Sequence, residues 1–141
     1  MYSNEFAKLW FKLSKDFRSH MEEQLAPTLT ESQLTLLEYV LAHDRMKPSD
    51  LIHFLATTPA AVTTLLDRME KNELIERIRD DKDRRIVWIH VTEKGLQECR
   101  RGVQIRENFI NDYLSCISTH NQQLLVYLLS KITDKEEQRI S

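Results

Sequence analysis

A mainly α-helical chain interrupted by one small β-hairpin is the fold class this sequence predicts, and three observations carry it. Glycine and proline are scarce, two and three among 141 residues, which leaves little flexible connection and favours long helices over a sandwich. Apolar residues recur at steps of three and four along most of the chain, the period of a helix with one buried face. That period changes to two at residues 86–91, behind a run of alternating arginines and aspartates. With 41% hydrophobic and 30% charged residues, the chain has one domain's length and enough apolar content for a core, and a second, catalytic domain is not expected.

The first helix is written in Phe6, Leu9, Trp10, Leu13, Phe17, Met21 and Leu25, and Ala26, Pro27 and Thr28 end it. Thr30 with Gln33 three residues on is a capping box, and it opens a second helix that carries Leu34, Leu37, Tyr39, Val40 and Leu41. Pro48 starts a short helix over residues 47–54, whose Leu51, Ile52 and neighbouring Leu55 face inward. Thr57, Thr58 and Pro59 then supply a hydroxyl N-cap and a proline at the first helical position, where its missing N–H costs nothing. The helix that follows runs to about Lys71, burying Val62, Leu65, Leu66 and Met69 and turning Ala60, Ala61, Thr63, Thr64, Asp67 and Arg68 outward. Two short helices so closely joined form a helix-turn-helix, and the second is the candidate for a DNA major groove. Its small leading residues let the backbone approach closely, and threonine hydroxyls and methyls suit phosphates, base edges and thymine methyls.

Residues 74–79 and 86–91 make the hairpin, with Val87, Ile89 and Val91 on one face and Ile86, Trp88 and His90 on the other. Arg77, Arg79, Lys82, Arg84 and Arg85 alternate with Asp80, Asp81 and Asp83, so the tip carries cations on a polar turn. Thr92 and Glu93 offer an N-cap and a first-turn carboxylate to the next helix. There Leu96, Cys99, Val103, Arg106, Ile110, Tyr113 and Ile117 form a seam along a helix of about 25 residues. Thr119 with Gln122 reads as another capping box, before a last helix with Leu124, Leu125, Leu128, Leu129 and Ile132. The terminal helices hold more apolar surface than a small winged helix can cover, so a homodimer with Val103, Ile110 and Ile117 in its seam is expected. Residues 30–92 are then a winged helix-turn-helix, and residues 1–29 and 93–141 the helical dimerisation region of a single chain spanning 1–141.

Other chemistries find little purchase. No glycine-rich nucleotide loop occurs, and the five histidines form no close pair, so neither a metal nor a cofactor is expected. Cys99 and Cys116 lack C-x-x-C spacing, and Cys99 lies on the apolar seam. No nucleophile, base and orienting group stand in a recognisable arrangement, so catalytic residues are expected to be none and the protein not an enzyme. Trp10, Phe11, Tyr39 and Trp88 read as core before ligand cage. Residues 1–13 are broken by Glu5, Lys8 and Lys12, with no signal-peptide run and no membrane span, which predicts a cytoplasmic protein. A net charge of −2 weighs against nucleic acid, but local placement of cations matters more than their sum.

Leu74-Ile75-Glu76-Arg77, Asp83-Arg84-Arg85 and Val91-Thr92-Glu93-Lys94-Gly95, in that order and spacing, resemble the strand, wing tip and helix entry of the MarR family of bacterial transcriptional regulators. Residues 62–70 are similar to that family's recognition helix, and the resemblance covers nearly the whole chain. It implies a dimeric winged helix-turn-helix repressor of double-stranded DNA, with a near-palindromic operator and a small-molecule effector as partners. By the same resemblance Thr63 and Thr64 read the major groove, with Thr58, Ala60 and Ala61 at the leading end, Arg84 and Arg85 enter the minor groove, and Asp83 orients these arginines. A ligand pocket is implied between the first helices and the long fifth one. The family often has a basic residue where Thr64 stands and glycine where Glu73 stands, and Asn72 is the neighbour able to take a left-handed conformation. The alternative to a DNA-binding regulator is a winged-helix assembly module whose arginines meet an acidic partner.

Overall fold

A computed structural model describes the backbone of residues 1–140 and the side chains of residues 1–134. Six helices and one hairpin follow in the order α1 (Ser3–Leu25), α2 (Glu31–Leu41), α3 (Pro48–Phe54), α4 (Pro59–Lys71), β1 (Ile75–Arg79), β2 (Val87–Val91), α5 (Glu93–Leu114) and α6 (Thr119–Ile140). They fall into two compact units, Met1–Arg106 and Glu107–Ser141, with the boundary inside α5. Among the described residues, no helix is long and apolar enough to cross a membrane.

In the first unit the core gathers one face of every element: Met21 and Leu25 from the last turns of α1, Leu37 from α2, Leu51 from α3, Leu66 and Met69 from α4, and Ile75 and Ile89 from the hairpin. At roughly 1.5–3 kcal/mol for each large side chain removed from water, this shared cluster is what orients the surface elements. The Thr30 and Gln33 capping box forms in both directions, at 3.2 and 3.1 Å. The stripe of α2 is broader than its periodicity suggests. Leu36 is fully buried, whereas Leu41 in the last turn is 45% exposed. Trp10 and Phe11 are also not core within this chain, being 55% and 70% exposed, whereas Tyr39 is half-buried, packs against the core and stacks on Phe54.

Two turns without glycine shape this unit. After α4, the amide of Leu74 bonds the Met69 carbonyl and that of Glu73 bonds the Glu70 carbonyl, closing a Schellman motif. The left-handed residue is Glu73 itself, at φ 63°, and not Asn72, which keeps φ −84°. The turn from α3 repeats the motif around Ala56 at φ 47°, with Thr57 bonding the Ile52 carbonyl. A side chain with a Cβ is disfavoured there, so Glu73→Gly is expected to stabilise the fold by about 0.5–1 kcal/mol, read as a higher urea midpoint at unchanged m.

α5 approaches its neighbours closely because its two glycines permit it. A Cβ at Gly102 would lie 2.7 Å from Leu34 Cδ1. Arg101 donates to the carbonyls of Gln24 and Leu25 at 3.0 and 2.9 Å, placing a cation at the end of α1, whose last turn has no basic residue of its own. Arg106 does not face away on a dimer seam: its guanidinium forms a two-pronged pair with Glu38 of α2, at 2.9 and 2.5 Å. Val103 likewise packs against its own chain's core.

In the second unit α5 ends at Leu114, so Ile117 lies in the turn and not on the helix. The hydroxyl that caps α6 belongs to Ser118, accepting from the Asn121 amide at 3.2 Å, and not to Thr119. Gln122 reaches back instead, donating to the carbonyls of Leu114 and Ile117. Leu124, Leu125, Leu128, Leu129 and Ile132 are 40–60% exposed, and Ile110 is 41% exposed.

Candidate nucleic-acid interface

α4 begins where its sequence says it should. Thr58 accepts from the Ala61 amide at 3.2 Å and Pro59 fills the first turn. Val62, Leu66 and Met69 go inward, which leaves Ala60, Ala61, Thr63 and Thr64 exposed along one face. The two outward threonines donate their hydroxyl hydrogens to the helix itself, Thr63 to the Pro59 carbonyl and Thr64 to the Ala60 carbonyl, each at 3.0 Å. What remains outward is a methyl and an acceptor lone pair on each. Such a face suits thymine methyls and the amino groups of adenine or cytosine.

The hairpin pairs antiparallel from Ile75 opposite Val91 to Arg79 opposite Val87, and Met46 adds one bridge at Ile89. Arg77 is not a tip cation. Its guanidinium pairs with Asp67 and Glu70 on α4, which together raise its pKa, so it ties the hairpin to the helix. Arg79 turns back as well, donating to the Arg84 carbonyl at 2.9 Å.

Asp80 organises the tip by accepting from the Trp88 indole N–H at 2.9 Å and from the amides of Lys82 and Asp83 at 2.8 and 3.0 Å. These donors, the indole first, hold its carboxyl below the usual carboxylate range. Asp83 accepts from the amide, Nε and Nη2 of Arg85, which lowers the Asp83 pKa and raises that of Arg85. Asp83 therefore orients one arginine of the pair. Arg84 is held through its carbonyl, which accepts from Arg79, and its exposed side chain is, like that of Lys82, a cation at the tip that no carboxylate grips among the described residues. Thr92 closes the far end by capping α5 through the Gly95 amide at 3.0 Å and donating to the Glu73 carbonyl.

One hollow in the first unit has a volume of about 700 Å³. It lies between the start of α2 and the flank of α4, lined by Thr30, Ser32, Leu55, Ala61, Leu65 and Arg68. No cluster of three metal-ligating side chains occurs among the described residues. Cys99 is buried, and that burial pushes its thiol up, away from the reactive thiolate, while Cys116 is exposed in the turn before α6.

Residues 29–87 match the MarR family. The HTH-type transcriptional repressor MdtR of Bacillus subtilis is 26% identical over 92% of this chain and 81% of its own. The transcriptional regulator HosA of Escherichia coli O157:H7 is 27% identical over 89% of this chain and 94% of its own. A MarR family protein from Bacillus stearothermophilus superimposes with a TM-score of 0.82 at 23% identity, covering 95% of this chain and 94% of that one. A Staphylococcus aureus MepR variant bound to an oligodeoxyribonucleotide superimposes with a TM-score of 0.69, also at 23% identity, covering 92% and 96%. The MarR family match spans the helix-turn-helix and most of the basic hairpin, and the flanking helices align with transcriptional regulators along most of their length, so this chain is similar to MarR-type regulators from end to end.

Proposed function

We propose that the protein is a dimeric, sequence-specific DNA-binding transcriptional repressor working in the cytoplasm, without enzymatic activity. The observation that carries this reading is the bracing of two exposed elements against each other. The outward face of α4 and a hairpin with an exposed Arg84 are joined by Arg77 paired to Asp67 and Glu70. One element fits a major groove and the other the adjacent minor groove. The relatives, named as transcriptional regulators and repressors, support the same reading and lend none to an assembly module with an acidic partner. A small-molecule effector fits the hollow beside α4, where an occupant would alter the DNA-facing flank.

The exposed Ile110, Leu124, Leu128 and Ile132 support a dimer, because a lone chain leaves these side chains in water. Sedimentation at micromolar concentration is expected to give a dimer for the wild type. Ile110→Asp should give monomers that have lost duplex binding. A wild-type monomer that still binds a two-half-site duplex tightly would overturn the dimeric reading.

A further inference from the structure

The hairpin's two five-residue strands are too few to hold a tip rigidly by themselves. Its support from the rest of the unit is graded. At the middle of the ladder, Met46 bridges Ile89; one residue closer to the tip, Arg45 from the α2–α3 connection places its guanidinium 4.8 Å above the Trp88 ring and 3.9 Å from Asp80. From there a continuous relay reaches the tip: the Trp88 indole N–H donates to Asp80, Asp80 accepts the amides of Lys82 and Asp83, and Asp83 grips Arg85. Each link is a cation–π contact or a hydrogen bond to a carboxylate, and a hydrogen bond to an ionised acceptor is shorter and stronger than one between neutral groups.

We infer that Arg45, Trp88 and Asp80 form a lock that fixes the angle of the hairpin tip, and that Arg45 is a positioning residue for Arg84 and Arg85, not itself a contact to DNA. The inference rests on the DNA-binding reading above and adds a role for the α2–α3 connection. By ordering the tip before DNA arrives, the lock removes an entropy cost that binding would otherwise meet.

Arg45→Gln removes the cation, and Trp88→Phe keeps a ring beneath Arg45 but deletes the N–H that reaches Asp80. Both break one relay. Each is expected to weaken binding to a selected duplex about fivefold to tenfold, read by fluorescence anisotropy, with the double variant no weaker than the worse single. The slope of log K against log salt should stay at its wild-type value, and Arg45→Lys should restore most of the loss. Hydrogen exchange at the Lys82 and Asp83 amides should quicken in both single variants. A direct phosphate contact would behave differently: Arg45→Gln alone would flatten the slope by about one and Trp88→Phe would bind as wild type, which overturns the lock. Additive losses, or unchanged exchange in the folded variants, overturn it too. Should the wild type bind no duplex, the DNA reading fails, and the exchange rates decide the lock by themselves.

Discussion

Replacing Gly95 by alanine is expected to cost about 4 kcal/mol or more, a large share of the roughly 5–15 kcal/mol that keeps a domain folded. An added Cβ would stand 2.1 Å from the Leu74 carbonyl oxygen and 2.9 Å from Val91 Cγ1, and the first of these is backbone that cannot rotate away. That oxygen also accepts from the Thr92 amide at 3.1 Å, and the Gly95 amide bonds the Thr92 hydroxyl that caps α5. Relief of the clash would therefore pull apart the entry to β1, the cap of α5 and the root of the hairpin together. Urea denaturation followed by circular dichroism would measure the loss. A midpoint within a few tenths molar of wild type would show that the close approach is not needed.

The second large effect lies in binding. Arg84→Ala with Arg85→Ala is expected to weaken specific binding roughly 30-fold to 1,000-fold and to flatten its salt dependence, with stability nearly unchanged because both side chains are exposed. The two arginines should contribute unequally. Asp83 neutralises Arg85 at the tip, whereas no carboxylate grips Arg84 among the described residues, so Arg84→Ala alone should account for the greater part. Equal losses from the two single variants would contradict that division. A double variant that is folded and binds as wild type would remove the hairpin from the interface altogether.

Much of the fold was legible because the relevant signals are local. The caps at Thr30, Thr58 and Thr92 formed as their spacing predicts, since each needs only residues within one turn. The face of α4 and the hairpin strands followed from period alone. Roles set by distant partners were not legible. Arg77 reads as one more cation in an alternating run until α4 brings Asp67 and Glu70 to it, and Arg101 reads as an ordinary helix-surface residue until it meets the end of α1. Periodicity also says nothing about what covers a stripe. The seam from Leu96 to Ile117 is regular, yet Val103 and Arg106 turn toward their own chain, Ile110 is exposed, and Ile117 falls beyond the helix. At Ala56 and Glu73 the left-handed turns are made by residues whose types do not announce them. The start of α6 misled for a simpler reason: Ser118 and Thr119 both carry a hydroxyl, and only backbone geometry chooses between them.

Two copies of α4 and its hairpin are expected to read DNA as a symmetric pair, which selection of bound duplexes from a random pool will reveal in the sites it enriches. The enriched sites are expected to be near-palindromic, with half-site centres about 10 base pairs apart. Within them Thr64→Ala should lower affinity for the best site far more than for random duplex, because that helix reads bases while the hairpin chiefly anchors. A pool without enrichment, or an enriched site lacking two-fold symmetry, would contradict the account.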